Sequence, residues 1–220
     1  METQNTTFSV LELFRMGGIF MWPLLLFSVT VVAISLERVV YLAYHNLRMG
    51  DMGEKLSLYI REGKIAEARE YLNGLSRRRM GARILVTLLD RSPLGEHRME
   101  RAAETEAASC INSLENGFSF LTALGSLSPL TGFLGTVSGM IGAFKSIAEA
   151  TEVNAQIVAN GIYEALITTV FGLVIAIVAM VSHSVFSHIV DNFSADVEKT
   201  CSELITEFAV RSGGAGDGPA

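Results

Sequence analysis

The chain has 220 residues, half of them hydrophobic and only 18% charged, with a mean hydropathy of +0.38. It is too apolar for an ordinary soluble domain and too charged to lie wholly in lipid, which points to a mixed membrane protein. A net charge of −6, with no block of like charge suited to a phosphate backbone, argues against nucleic-acid binding.

Residues 1–18 contain "FSVLELFRMGG", where Phe8, Leu11 and Phe14 fall at helical spacing and predict a short interfacial helix. No basic leader or small-residue cleavage site precedes the first apolar run, so that run is expected to stay as an anchor. It covers residues 19–44 and is the first of three stretches that reach the roughly 20 residues a bilayer requires. The other two cover residues 118–144 and 155–183. The first carries bulky aliphatics on all sides and few small residues after Gly18, which suits a lipid-facing position.

Between the first two spans, residues 45–117 hold 12 of the 17 Lys and Arg residues, including Arg77, Arg78 and Arg79, which suit anionic lipid or an acidic face. The positive-inside rule puts this segment in the cytoplasm and the N-terminus outside. Residues 145–154 then form an outer loop, and residues 184–210 and 211–220 a cytoplasmic helix and a disordered tail. Within 45–117, two short amphipathic helices are expected, with Gly63 and Gly74 as their C-terminal caps. From Gly95 onward the Ala- and Glu-rich run predicts one helix continuing into the second span. After the third span, Ile189, Phe193, Val197, Cys201, Leu204 and Phe208 predict a helix with one buried face. The fold expected is all-α: three transmembrane helices with long helices extending into a helical cytoplasmic domain. Cys110 and Cys201 are too few and too far apart for a disulfide framework or a zinc site. His183 and His188 read as interfacial or packing residues, and no His sits in a nucleophile–carboxylate arrangement, so no enzyme is expected.

The second span carries Gly125, Gly132, Gly135, Gly139 and Gly142, with Ser128, Thr136 and Ser138 among them. Small residues at such intervals let backbones approach closely where lipid offers no hydrophobic drive to associate. In the third span Gln156, Asn160, Glu164, Thr168, Gly172 and Ala176 recur at steps of four. The stripe suits tight packing as well as a pore lining. Glu164 lies nine residues past Ala155, about 13 Å down a helix, too deep for so short a side chain to reach the headgroups. A carboxylate at that depth costs a few kcal/mol and usually faces a bundle interior or water, so Glu164 is expected to handle an ion. The alternative is a helix starting near Gly161, which leaves Glu164 in a first turn that favours an acid.

"SPLTGFLGTVSGMIGAF" (residues 128–144) followed by "NGIYEALITTVFGLVIAIVA" (160–179) resembles the paired signature of the MotA/TolQ/ExbB proton-channel family, most strongly its ExbB/TolQ branch. The resemblance implies an inner-membrane stator, a homopentamer around a pore holding a dimeric single-span partner of the ExbD/TolR type. Proton flow would be coupled to motion and passed on to a TonB-like or TolA-like protein. It implies no cofactor beyond the coupling ion, H⁺ with Na⁺ as the alternative. Glu164 matches the family's pore glutamate, and Thr136 and Thr169 its pore-lining threonines; Thr168 is added from helical spacing. Gly132, Gly135, Gly139 and Gly172 are the helix-packing and pore-lining candidates. Two departures are Ser138, where many relatives carry Trp, and Val178, where many carry Pro. The alternatives are a non-conducting scaffold and a divergent flagellar or gliding-type stator.

Overall fold

The computed structural model describes residue 14 and residues 17–76, 78–149 and 155–214. The interfacial helix expected over residues 8–14 (Phe14 excepted), Arg77 of the arginine run and the end of the tail fall outside that set. Among the described residues all regular structure is helical: α1 (Met21–Tyr44), α2 (Gly50–Glu62), α3 (Ile65–Leu75), α4 (Met80–Arg91), α5 (Glu96–Leu114), α6 (Phe118–Glu149) and α7 (Ala155–Gly214), with a single 3₁₀ turn at Ser92–Leu94. Three of these, α1, α6 and α7, are long and apolar enough to cross a membrane.

The chain divides into two compact units, one built from residues 1–36 and 117–184, the other from 37–116 and 185–220. In the first unit α6 and α7 form an antiparallel pair. Gly125 lies by Ala179, Gly132 by Thr168 and Gly172, and Gly139 by Gly161 and Ala165, so partner numbers fall as α6 advances. The apolar side chains that flank this seam, including Leu130, Phe133, Leu134, Leu173, Val174 and Ile177, are exposed. α1 buries only a narrow stripe, with Met21, Leu24 and Val31 inside and Leu25, Leu26, Val29 and Val32 outside.

The second unit has a conventional helical core. Met52, Leu56 and Ile60 recur at steps of four along α2, and Ala82, Ile84, Leu85, Leu88 and Leu89 fill the inner face of α4. Phe186, Val190, Phe193, Val197, Cys201 and Leu204 supply the inner face of α7 at steps of three and four. Two residues expected on that face depart from it. Ile189 is exposed and Phe208 only half-buried, because the buried stripe passes through Val190.

One expected cap is present and two further expectations are corrected. Gly63 caps α2 in the left-handed conformation at φ +81, with Lys64 N–H donating to the Tyr59 carbonyl at 2.9 Å. Gly74, by contrast, lies inside α3, and the helix runs to Leu75 with Ser76 after it. The expected single helix from Gly95 into the second span is interrupted: α5 ends at Leu114, and Gly117 adopts φ +86 before α6 begins. Two features account for the stop on the α5 side. Arg38, only 6% exposed, donates from Nη1 to the Ser113 and Leu114 carbonyls at 3.2 and 3.3 Å, satisfying acceptors that a helix end leaves without a partner. Asn116 and Gly117 then form the kind of dipeptide that ends helices. The third span and the C-terminal helix, in contrast, form one element of 60 residues. With no Pro or helix-stopping cap between Ala155 and Gly214, nothing interrupts its backbone ladder.

Candidate functional site

The candidate residues all belong to the first unit, on α6 and the first part of α7. Since α7 begins at Ala155, Glu164 sits in its third turn, away from the orphan N–H groups of the helix start. The first-turn reading of Glu164 is therefore set aside.

The α6–α7 seam depends on missing side chains. A Cβ on Gly132 would lie 2.9 Å from the Thr168 carbonyl oxygen and 3.0 Å from Thr169 Cα. One on Gly172 would lie 2.5 Å from the Ser128 carbonyl oxygen, and one on Gly139 3.0 Å from that of Gly161. At Gly135 the space is taken by Thr168, whose Cβ stands 2.7 Å from where a Cβ would be. Thr168 is 1% exposed. Its hydroxyl donates to the Ala165 carbonyl at 2.8 Å, with the Gly132 and Glu164 carbonyls each at 3.4 Å. The Thr169 hydroxyl reaches across to the Gly132 carbonyl at 3.3 Å. Both threonines thus tie α7 to the glycine face of α6, the kind of interhelical glue expected where water is excluded.

Thr136 is differently placed. Its hydroxyl donates to the Phe133 carbonyl of its own helix at 2.7 Å. A hydroxyl committed in this way keeps only its acceptor lone pairs and must rotate before it can pass a proton on.

The polar stripe expected on the third span divides. Thr168, Gly172 and Ala176 are buried, whereas Gln156 and Asn160 are exposed and Glu164 is half-buried. The reason is geometric: each step of four residues over-rotates by about 40° in a helix of 3.6 residues per turn, so five steps carry the stripe to the opposite face. The residues that meet α6 are Gly161, Ala165, Thr168, Gly172, Ala176 and Ala179, at mixed steps of three and four. Glu164 projects off this seam toward the turn ahead of α1, where its carboxylate lies against Gly18. Among the described residues, none of the ion pairs includes Glu164.

The sequence reading did not assign Gly18 or Arg38 a role. An arginine next to Glu37, late in the first apolar span, was the available signal for Arg38. For Gly18 the sequence offered only the pair Gly17–Gly18 just ahead of the span.

A family model described as the MotA/TolQ/ExbB proton channel family matches residues 74–199, more than half of the chain. The chain belongs to this family. Similar proteins place this member in the ExbB/TolQ branch. A Vibrio cholerae protein named biopolymer transport protein exbB1 is 29% identical over 197 residues, covering 87% of this chain and 85% of its own length. The Haemophilus influenzae Tol-Pal system protein TolQ is 40% identical over 96 residues, 44% of this chain and 42% of its own. The Pseudomonas putida biopolymer transport protein ExbB is 36% identical over 93 residues, which is 42% of this chain. The match spans only 28% of that ExbB protein. The glycine seam, Thr168, Thr169 and Glu164 all lie within the matched segment, whereas Gly18 and Arg38 precede it. Membership in a proton-channel family thus goes with three helices long and apolar enough to cross a membrane.

Proposed function

We propose that the chain is the ring-forming subunit of an inner-membrane stator in which Glu164 handles the translocated proton. The observation that carries this reading is the position of Glu164: third turn of an apolar helix, half-buried, without an ion-pair partner among the described residues, in a member of a proton-channel family. A carboxylate so placed is costly in a membrane and is retained for function. Moving one charge across the membrane yields about 2.3 kcal/mol per 100 mV, so one or two protons per step exceed thermal energy several-fold.

In this reading five copies surround a dimer of a single-span, Asp-bearing partner of the ExbD/TolR type, and motion between ring and partner reaches the envelope through a TonB-like or TolA-like protein. The distribution of Lys and Arg supports a periplasmic N-terminus and a cytoplasmic segment over residues 45–117. Thr136 and Thr169 line the path, and the buried Thr168 supports it through the seam. H⁺ is the coupling ion, since a lone carboxylate needs no further ligands to bind it.

The scaffold reading has one observation in its favour: Thr168 and the glycines are used up in helix packing. Liposomes containing the chain and its co-expressed partner separate the two readings. Potential-driven proton uptake should occur with the wild type and be abolished in Glu164→Gln. Equal uptake by both, or by neither, assigns Glu164 a structural role.

A further inference from the structure

The Glu164 carboxylate comes to rest on backbone rather than on a hydroxyl. Gly18 holds φ +66, a conformation that L side chains rarely adopt, in the turn that leads into α1. A Cβ built on it falls onto Glu164 Oε1, 2.8 Å from Cδ and 3.5 Å from Cγ. Its neighbour Gly17 is buried, and a Cβ there would meet the Met21 side chain and lie 3.4 Å from Ile167 Cγ2. Glu164 and Ile167 are three residues apart and share one face of α7, so two consecutive turn residues lie against two adjacent positions of that helix. The turn is also tied to its own helix, because the Gly18 carbonyl accepts from Met21 N–H at 3.3 Å.

We propose that Gly18 is the positioning residue for Glu164: its bare Cα is the seat of the carboxylate, so the turn ahead of α1 sets where the acid group stands. This rests on the reading of Glu164 as the ion-handling group. A glutamate has several rotatable bonds and spreads over rotamers unless something stops it. Here Gly18 is the stop, and a Cβ at this position would occupy the place of Oε1 and displace the carboxylate. Thr168, one turn further along α7, faces the glycines of α6 and leaves this side of Glu164 to the turn.

The test uses the full chain with its co-expressed partner in liposomes. Proton uptake is measured for wild type, Gly18→Ala, Gly18→Asn, Glu164→Asp and the double variant Gly18→Ala/Glu164→Asp. Displacing a reacting group by about 1 Å can cost on the order of 100-fold, so Gly18→Ala should lower uptake by about tenfold or more. Asparagine tolerates the left-handed conformation but carries a Cβ, so Gly18→Asn should fail as well. Aspartate is shorter by one methylene and leaves room for the new Cβ, so the double variant should conduct no worse than Glu164→Asp alone. Wild-type uptake by Gly18→Ala or Gly18→Asn, or a double variant showing the product of both single losses, would overturn the proposal. A second readout does not need conduction: the rate at which a hydrophobic carbodiimide labels Glu164, followed by mass spectrometry. Gly18→Ala should change that rate several-fold and leave labelling of the other carboxylates unchanged. If nothing conducts but the labelling responds, the seat stands and the channel reading fails. Labelling indifferent to Gly18→Ala removes the seat whatever conducts.

Discussion

At the scale of single residues, the glycines of α6 are not equivalent, although the sequence spaces them alike. Gly135 has Thr168 where its Cβ would be, while Gly142 has nothing within 4 Å. Gly135→Ala should therefore lower stability by about 1–3 kcal/mol through overpacking. Gly142→Ala removes a flexible residue from a helix and should be neutral or stabilising by up to about 1 kcal/mol. Thermal unfolding of both variants in detergent checks the contrast; equal shifts would mean that the seam is not packed as described. Cys110 offers a second test. Burial pushes its thiol up, only partly opposed by Arg83, so the neutral form is favoured in the fold. That contribution is present below the ordinary thiol range of about 8.5 and is lost as the pH rises beyond it. At pH 7.5 the folded protein should react with iodoacetamide at Cys110 at least about tenfold more slowly than the denatured protein, as peptide mapping can measure.

At the scale of elements, the end of α5 combines local and distant causes. Asn116 and Gly117 form a dipeptide that ends helices, whereas the Ala- and Glu-rich run ahead of them favoured a helix that continues. Arg38, 75 residues from Ser113 in sequence, supplies donors to the last carbonyls of α5 and also contacts the Tyr41 ring 4.9 Å away. Replacing it with Met keeps much of the stem but leaves those acceptors without their donor. Arg38→Met should cost about 1–3 kcal/mol and increase hydrogen exchange in the last turn of α5. Unchanged exchange over residues 110–114 would show that the arginine is not a cap. For α7 the lesson runs the other way. The third span and the cytoplasmic helix expected after it form one element, because composition changes with surroundings, whereas a helix ends only where its backbone ladder is broken.

At the scale of the whole molecule, the exposed apolar faces of α1, α6 and α7 call for lipid, a partner or further copies of the chain. The proposed ring makes a direct prediction: native mass spectrometry of the detergent-solubilised protein should give five copies. A monomer at that point would remove the ring. Membership in the family, the all-α class and the three apolar helices were legible from composition, span length and the paired motifs. The site was legible only in part. Glu164 stood out because a carboxylate is conspicuous in an apolar run, but nothing in the sequence tells which residue that carboxylate touches.

The sequence by itself determined the properties that depend on neighbours along the chain: hydropathy long enough to span, helical periodicity, the left-handed cap at Gly63, and the acid in the third span. Tertiary structure alone decided the properties that depend on what lies across a gap. It selected which small residues form the α6–α7 seam, because the interlocking pattern runs at mixed steps of three and four and a stripe at steps of four winds away from it. It also brought Gly18 to Glu164 and Arg38 to the end of α5. Those meetings join positions 146 and 75 or more residues apart in the chain, and only packing brings such residues together.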